Sequence, residues 1–253
     1  MKTSLYSKLV ISFTAIASLA MFAWPLIIQT TSVDENRFAQ TAFIVLMPLM
    51  LVLVLAEFAS GELDSKQLAV LGVLIALNAV VRVLGAGTSG IETAFFIIII
   101  GAYIFGSGFG FLLGTGSLFV SALLMGGVGP WLPFQMMAAG LLGLVAGLLP
   151  KSNKRWLELT VLVTFAIIGS FAYGALMTMW NWPFLAGVGT DISYSPGAGI
   201  TPNLARFFKY ESLTGGLLWD SGRAITTSVL ILLTAPALLA TLKRAAGRAG
   251  ISR

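Results

Sequence analysis

Apolar runs separated by short polar or glycine-rich stretches recur along the whole chain. Crossing a hydrocarbon core of about 30 Å takes roughly 20 such residues, fewer where flanking side chains snorkel to the interface. Runs of that kind fall near Leu9–Ile28, Thr41–Phe58, Gln67–Leu84, Thr93–Phe105, Phe109–Leu124, Leu132–Leu149, Leu157–Trp180 and Gly216–Leu242. The pattern predicts an all-α integral membrane protein, a polytopic bundle of about eight transmembrane helices. The fourth and fifth are divided only by Phe105-Gly-Ser-Gly-Phe109, read as a tight turn because its glycines permit positive φ.

The first run also carries marks of a secretory signal: Lys2 and Lys8 form a basic start, and Ser18-Leu-Ala20 resembles a cleavage site. The apolar stretch continues past Ala20 through Phe22, Ala23, Trp24 and Leu26 to Ile28. A retained anchor is therefore expected.

Composition agrees with lipid as the solvent. The chain is 57% hydrophobic and 10% charged, against about 25% charged in soluble domains. Cysteine and histidine are both missing from the 253 residues. That removes thiol chemistry, the commonest metal ligand and the usual acid–base group at neutral pH. No nucleotide-binding glycine loop, metal-ligand spacing or nucleophile with a histidine base is present. No catalytic residue, metal or cofactor is expected, and the chain is read as not an enzyme.

The net charge of +5 reflects topology rather than nucleic-acid binding. With the N-terminus inside and eight crossings, Lys2, Lys8, Lys66, Lys151, Lys154, Arg155, Lys243, Arg244, Arg248 and Arg253 are cytoplasmic. Arg37, Arg82, Arg206, Lys209 and Arg223 lie on or toward the other side. This satisfies the positive-inside rule and places both termini in the cytoplasm of a cell-membrane protein. The loop Glu57–Lys66 is net acidic, which carries little weight in that rule.

A charge within an apolar span costs about 2.5–3.5 kcal/mol on insertion scales, so each is a candidate functional residue. Arg82 stands near the outer end of the third helix with Asn78 one turn below it. Glu92 opens the fourth helix across the turn Gly85–Gly90, where a carboxylate suits the helix dipole. Asp220 and Arg223 open the last helix three residues apart, on one face. Snorkelling of Arg82 and a capping pair of Asp220 with Arg223 are the structural alternatives. Convergence of all four charges on one third of the membrane favours a site.

The stretch Gly126-Gly-Val-Gly-Pro-Trp-Leu-Pro-Phe-Gln135 breaks the helix and offers Trp131 and Gln135 from the start of the next one. An aromatic belt residue is the competing role for Trp131. Asn181–Thr214 is a long loop with Trp182, Tyr194 and Tyr210 among prolines and glycines, read as a lid or binding loop. Asn181 and Trp219 complete the candidate binding set. On the third helix Ala69, Gly72, Ala76 and Ala79 make a strip of small residues at helical spacing, suited to close approach of another helix, within this chain or in a partner.

From about Lys66 to the end, the sequence resembles the substrate-binding (S) subunit of an energy-coupling factor (ECF) vitamin transporter. The matching stretches are Ala69-Val-Leu-Gly-Val-Leu-Ile-Ala-Leu-Asn-Ala-Val-Val-Arg82, Gly129-Pro-Trp-Leu-Pro-Phe-Gln135, the basic loop Lys151–Arg155 and Leu218-Trp-Asp-Ser-Gly-Arg-Ala224. The resemblance implies a six-helix substrate-binding domain over residues 66–253, with residues 1–65 adding two transmembrane helices. It implies capture of a vitamin or related micronutrient from outside, with cobalamin-type substrates the nearest-looking. It also implies a transmembrane coupling subunit, two cytoplasmic ATPases and transport by toppling of the binding subunit. The family's docking strip maps onto Ala69, Gly72 and Ala76, where the spacing departs from a strict Ala-x-x-x-Ala-x-x-x-Ala. A self-contained secondary transporter would show an internal repeat of broken helices, and none is evident. A non-transport membrane scaffold is the other alternative.

Overall fold

The computed structural model describes residues 5–28, 33–60, 65–85, 90–185 and 189–248. Parts of four predicted connections therefore lie outside the described residues: 29–32, 61–64, 86–89 and 186–188, as do Lys2 and Arg253. The helices are α1 (Leu5–Phe22), α2 (Trp24–Ile27), α3 (Val33–Ser60), α4 (Ser65–Gly85), α5 (Phe95–Phe105) and α6 (Ser107–Met125). They continue as α7 (Leu132–Ala146), α8 (Arg155–Met179), α9 (Trp182–Leu185), α10 (Ile200–Leu213) and α11 (Gly216–Arg248). No strand occurs among the described residues, and the protein is an all-α polytopic membrane protein.

Each of the eight predicted segments carries a helix. Four are long and apolar enough to cross a membrane: α4, α6, α8 and Gly216–Gly247 of α11. The other four contain shorter apolar helices, at Ser12–Phe22, Gln40–Leu53, Phe95–Phe105 and Leu132–Ala146. The shortest, α5, has 11 residues and is buried on every side. Its length is about 16 Å, and a helix apolar all round belongs in an interior. It ends where expected, at Gly106 with φ +98°, and α6 begins at the next residue.

Helices α6 and α7 run antiparallel at backbone contact. A Cβ on Gly110 would collide with Gly143, one on Gly114 with Ala139, and one on Gly147 with Ser107. Without a hydrophobic drive inside lipid, this close backbone approach is what holds helices together. At the α5–α6 turn, the Ser152 amide donates to the Tyr103 hydroxyl at 3.2 Å. Nearby Lys243 of α11 donates to Glu158 of α8 at 2.6 Å. These contacts gather the turn after α5, the loop before α8 and the last turns of α11 at one end, where Lys151, Lys154, Arg155 and Arg244 are exposed.

The N-terminal helices join the bundle at the other end. Helix α1 runs unbroken through Ser18-Leu-Ala20, with Ser18 fully buried. Phe22 meets the Phe134 ring edge-on at 5.5 Å, and Phe134 stacks on Trp180 at 4.0 Å. Trp24 donates from Nε1 to the Trp180 carbonyl at 2.7 Å.

The stretch Asn181–Thr214, expected as a loop, contains α9 and the 14-residue α10. Gly199 (φ +81°) and Gly215 (φ +88°) bracket α10. Its buried residues Asn203, Phe207 and Glu211 are spaced by four, one face of a helix. The Asn203 amide holds both backbone groups of Ser195, at 2.9 and 3.0 Å. Pro202 is no obstacle in a first turn, whose amides lack helical partners in any case.

Candidate functional site

The ends of α4, α6 and α8 and the starts of α7 and α11 converge opposite the exposed basic loop. Two cavities open there, of about 200 and 320 Å³, sharing Trp219 and Arg223 as a common wall. The first is lined by Arg82, Glu92, Met125, Gln135 and Tyr173, with the backbone of Gly85 and Gly90. The second lies between α8, α10 and α11, against Gly174, Met177, Thr178, Tyr210, Glu211 and Asp220.

Arg82 leaves α4 near its C-terminus and donates from Nη1 to the Ser121 hydroxyl of α6 at 2.9 Å. Its Nε lies 3.9 Å from Glu92 Oε1, which also accepts the Ala94 amide at 3.0 Å. Glu92 thus bonds the chain just before α5 and sets a negative charge beside Arg82. Arg223 is ion-paired with Asp220. Its guanidinium sits 5.1 Å from the Tyr173 ring centre and 5.9 Å from that of Phe95, within cation–π reach. The two arginines are therefore held in fixed orientations, as a site needs before a ligand arrives.

Glycines let the walls close. A Cβ on Gly90, whose φ is +69°, would stand 2.8 Å from the Trp219 carbonyl and 3.0 Å from Gly222. The chain before α5 can touch α11 only because both residues lack side chains. Likewise the Asp220 carboxylate occupies the space a side chain on Gly174 would fill.

Of the twelve predicted binding residues, seven line these cavities: Arg82, Glu92, Gln135, Tyr210, Trp219, Asp220 and Arg223. Asn78 does not; it is fully buried below Arg82, with neither amide atom hydrogen-bonded. Trp131 is 46% exposed at the start of α7, folded against Gly129. Asn181 accepts a hydrogen bond from Gln40 of α3 at 2.7 Å. Trp182 and Tyr194 are buried with Phe207 in a small aromatic core beneath α10, and Trp182 Nε1 donates to the Ile192 carbonyl at 2.9 Å. Those loop aromatics fix α10 in place rather than line a cavity, because their rings are spent on each other.

Glu211 was missed. It is 3% exposed, and its Oε1 has no hydrogen-bond partner. Burial pushes its carboxyl above the ordinary carboxylate range, opposed by the neighbouring Thr178 hydroxyl and by the positive charge of Arg223. Its position four residues after Phe207 is the one sequence signal for it, masked by the prolines and glycines around the segment.

The small residues of α4 divide between two faces. Ala79 is fully buried, whereas Ala69, Gly72 and Ala76 are exposed, and nothing lies within 4 Å of where a Cβ on Gly72 would stand.

The family model for the substrate-specific component of ECF transporters matches residues 66–201, just over half of the chain. No curated protein and no solved structure matches. The match begins at the start of α4 and ends at the first turn of α10. It thus takes in Arg82, Glu92 and Gln135 but stops before Glu211, Trp219, Asp220 and Arg223.

Proposed function

Because the chain belongs to the substrate-specific components of ECF transporters, we propose that it captures a vitamin or related micronutrient from outside the cell. The two adjoining cavities would hold the solute, and the ATP-driven coupling module would then drive its release inward. The observation that carries this is the convergence of Arg82, Glu92, Gln135, Trp219 and Arg223 on cavities at the end opposite the exposed basic loop. By the positive-inside rule that basic end is cytoplasmic, so the cavities face the external medium.

Docking would use the exposed face of α4. Ala69, Gly72 and Ala76 present a flat, unobstructed strip to lipid, the surface on which another transmembrane helix approaches most closely. The coupling subunit is the occupant we assign to it, with two ATPases beneath. Toppling of the whole subunit fits a bundle whose core is locked by backbone contact between α6 and α7. In this reading residues 66–253 are the binding domain, and α1 to α3 are an N-terminal addition packed on it.

Cavity size bears on the substrate. Of the two volumes, about 320 Å³ lies at the low end of ordinary small-molecule sites, roughly 300–1,000 Å³, and about 200 Å³ lies below it. A cobalamin-type ligand would require α10 to lift, whereas a single-ring or two-ring vitamin fits with α10 in place. The smaller vitamins therefore rank first. The test is a thermal-shift and equilibrium-binding screen of the purified chain against water-soluble vitamins, corrinoids included. One ligand bound at nanomolar Kd is expected, adding about 4 kcal/mol of stability at a thousandfold excess over Kd. A well-folded protein that binds none of them would contradict the proposal.

A further inference from the structure

The residues lining the two cavities carry two guanidinium groups, Arg82 and Arg223, against three carboxylates, Glu92, Asp220 and Glu211. Arg82 faces Glu92, and Arg223 is paired with Asp220. Glu211 is left without a cation within ion-pair distance among the described residues. Burying a carboxylate without a counter-charge is unfavourable, and such groups are ordinarily paired or neutralised.

This carboxylate is held where it is by its surroundings. Phe207 and Asn203 anchor the same face of α10 one and two turns earlier. The Thr178 hydroxyl of α8 lies beside the carboxyl and favours its charged form. On the α11 side Gly216 leaves room for Oε2 that any side chain would take. The other oxygen, Oε1, is buried and unpartnered, on a residue that lines the 320 Å³ cavity. Tyr210 and the half-exposed Trp219 line that cavity too. Aromatic faces beside a buried carboxylate are the setting in which an organic cation is bound.

We propose that the cavity between α8, α10 and α11 is the subsite for a cationic nitrogen of the transported solute, a protonated amine or a quaternary or ring-nitrogen cation, received by Glu211 and flanked by Trp219 and Tyr210. The inference rests on the capture function proposed above and narrows its substrate to solutes bearing positive charge. Arg223 does not repel such a group strongly, since its charge is matched by Asp220 and faces the Tyr173 and Phe95 rings.

The experiment is equilibrium binding and thermal shift of the purified full chain with matched probes: pyridoxamine against pyridoxine, 1-methylnicotinamide against nicotinamide, and choline against 3,3-dimethylbutan-1-ol. In at least one pair the cation is expected to bind at least tenfold tighter than its neutral counterpart. Glu211→Gln should reduce that preference below threefold while the unliganded variant still melts cooperatively. Trp219→Ala, at an exposed position, should weaken the cation and leave the melting temperature unchanged. Equal binding within every pair, a preference that survives Glu211→Gln, or no response to any cation at millimolar concentration would each overturn the subsite. A neutral or anionic vitamin that still binds in an Arg82-dependent way would leave the capture function standing without it.

Discussion

Arg82 and Asp220 reach the cavities from helices far apart in sequence, and each is tied to a partner of opposite charge. If they orient polar groups of a ligand, Arg82→Ala and Asp220→Ala should each weaken binding at least tenfold, about 1.4 kcal/mol, with the fold intact. Calorimetry on the two variants checks this, and unchanged affinity in both would remove them from the site. Glu211 gives a second expectation, on stability. Its carboxyl titrates above the ordinary range because burial disfavours the charged form. The stability it contributes is therefore complete at pH values below that range and is lost as pH rises through its folded value. Asp220 and Arg223 on α11, Thr178 on α8 and its neighbour Tyr210 share its surroundings. Without ligand, Glu211→Gln should melt higher than the parent near neutral pH, the difference vanishing toward about pH 4; an identical pH profile would contradict this. Seven of the cavity-lining residues are legible because a charge, amide or aromatic stands out at the edge of an apolar run. Glu211 is not, since a carboxylate in the stretch Lys209-Tyr-Glu-Ser212 has no such contrast.

The same contrast explains which elements could be read. Each of the eight apolar runs holds a helix, the first of them two, α1 and α2, and Gly106 makes the turn between α5 and α6. Helix α10 looks like loop in the sequence because glycines flank it, Pro202 stands in its first turn, and two of its three buried residues, Asn203 and Glu211, are polar. Helix α4 presents its small residues to two different surroundings, and periodicity alone cannot tell the inner from the outer. The burial of Ala79 and exposure of Gly72 make that division. If the outer strip docks the coupling subunit, Gly72→Trp should abolish uptake and leave ligand affinity within about twofold. Binding and uptake assays on the same variant read the two effects separately. Loss of affinity would point to packing within the chain, and unimpaired uptake would exclude the strip as a docking face.

Across the whole molecule, polar chemistry is divided between two ends. Exposed basic residues and the Glu158–Lys243 pair mark one; the cavities and their paired charges mark the other. Between them lie α5, buried on all sides, and the backbone contacts of α6 with α7. A solute bound at the far end then needs either a partner that reorients the bundle or a rearrangement of the core itself. The family assignment favours the first. Proteoliposomes carrying this chain with and without a transmembrane coupling subunit and ATPases, supplied with whichever solute the binding screen identifies, test the choice most directly. Accumulation should require ATP and the complete assembly, with none by this chain alone; ATP-independent accumulation by the chain alone would contradict the account and mark it as a self-contained transporter.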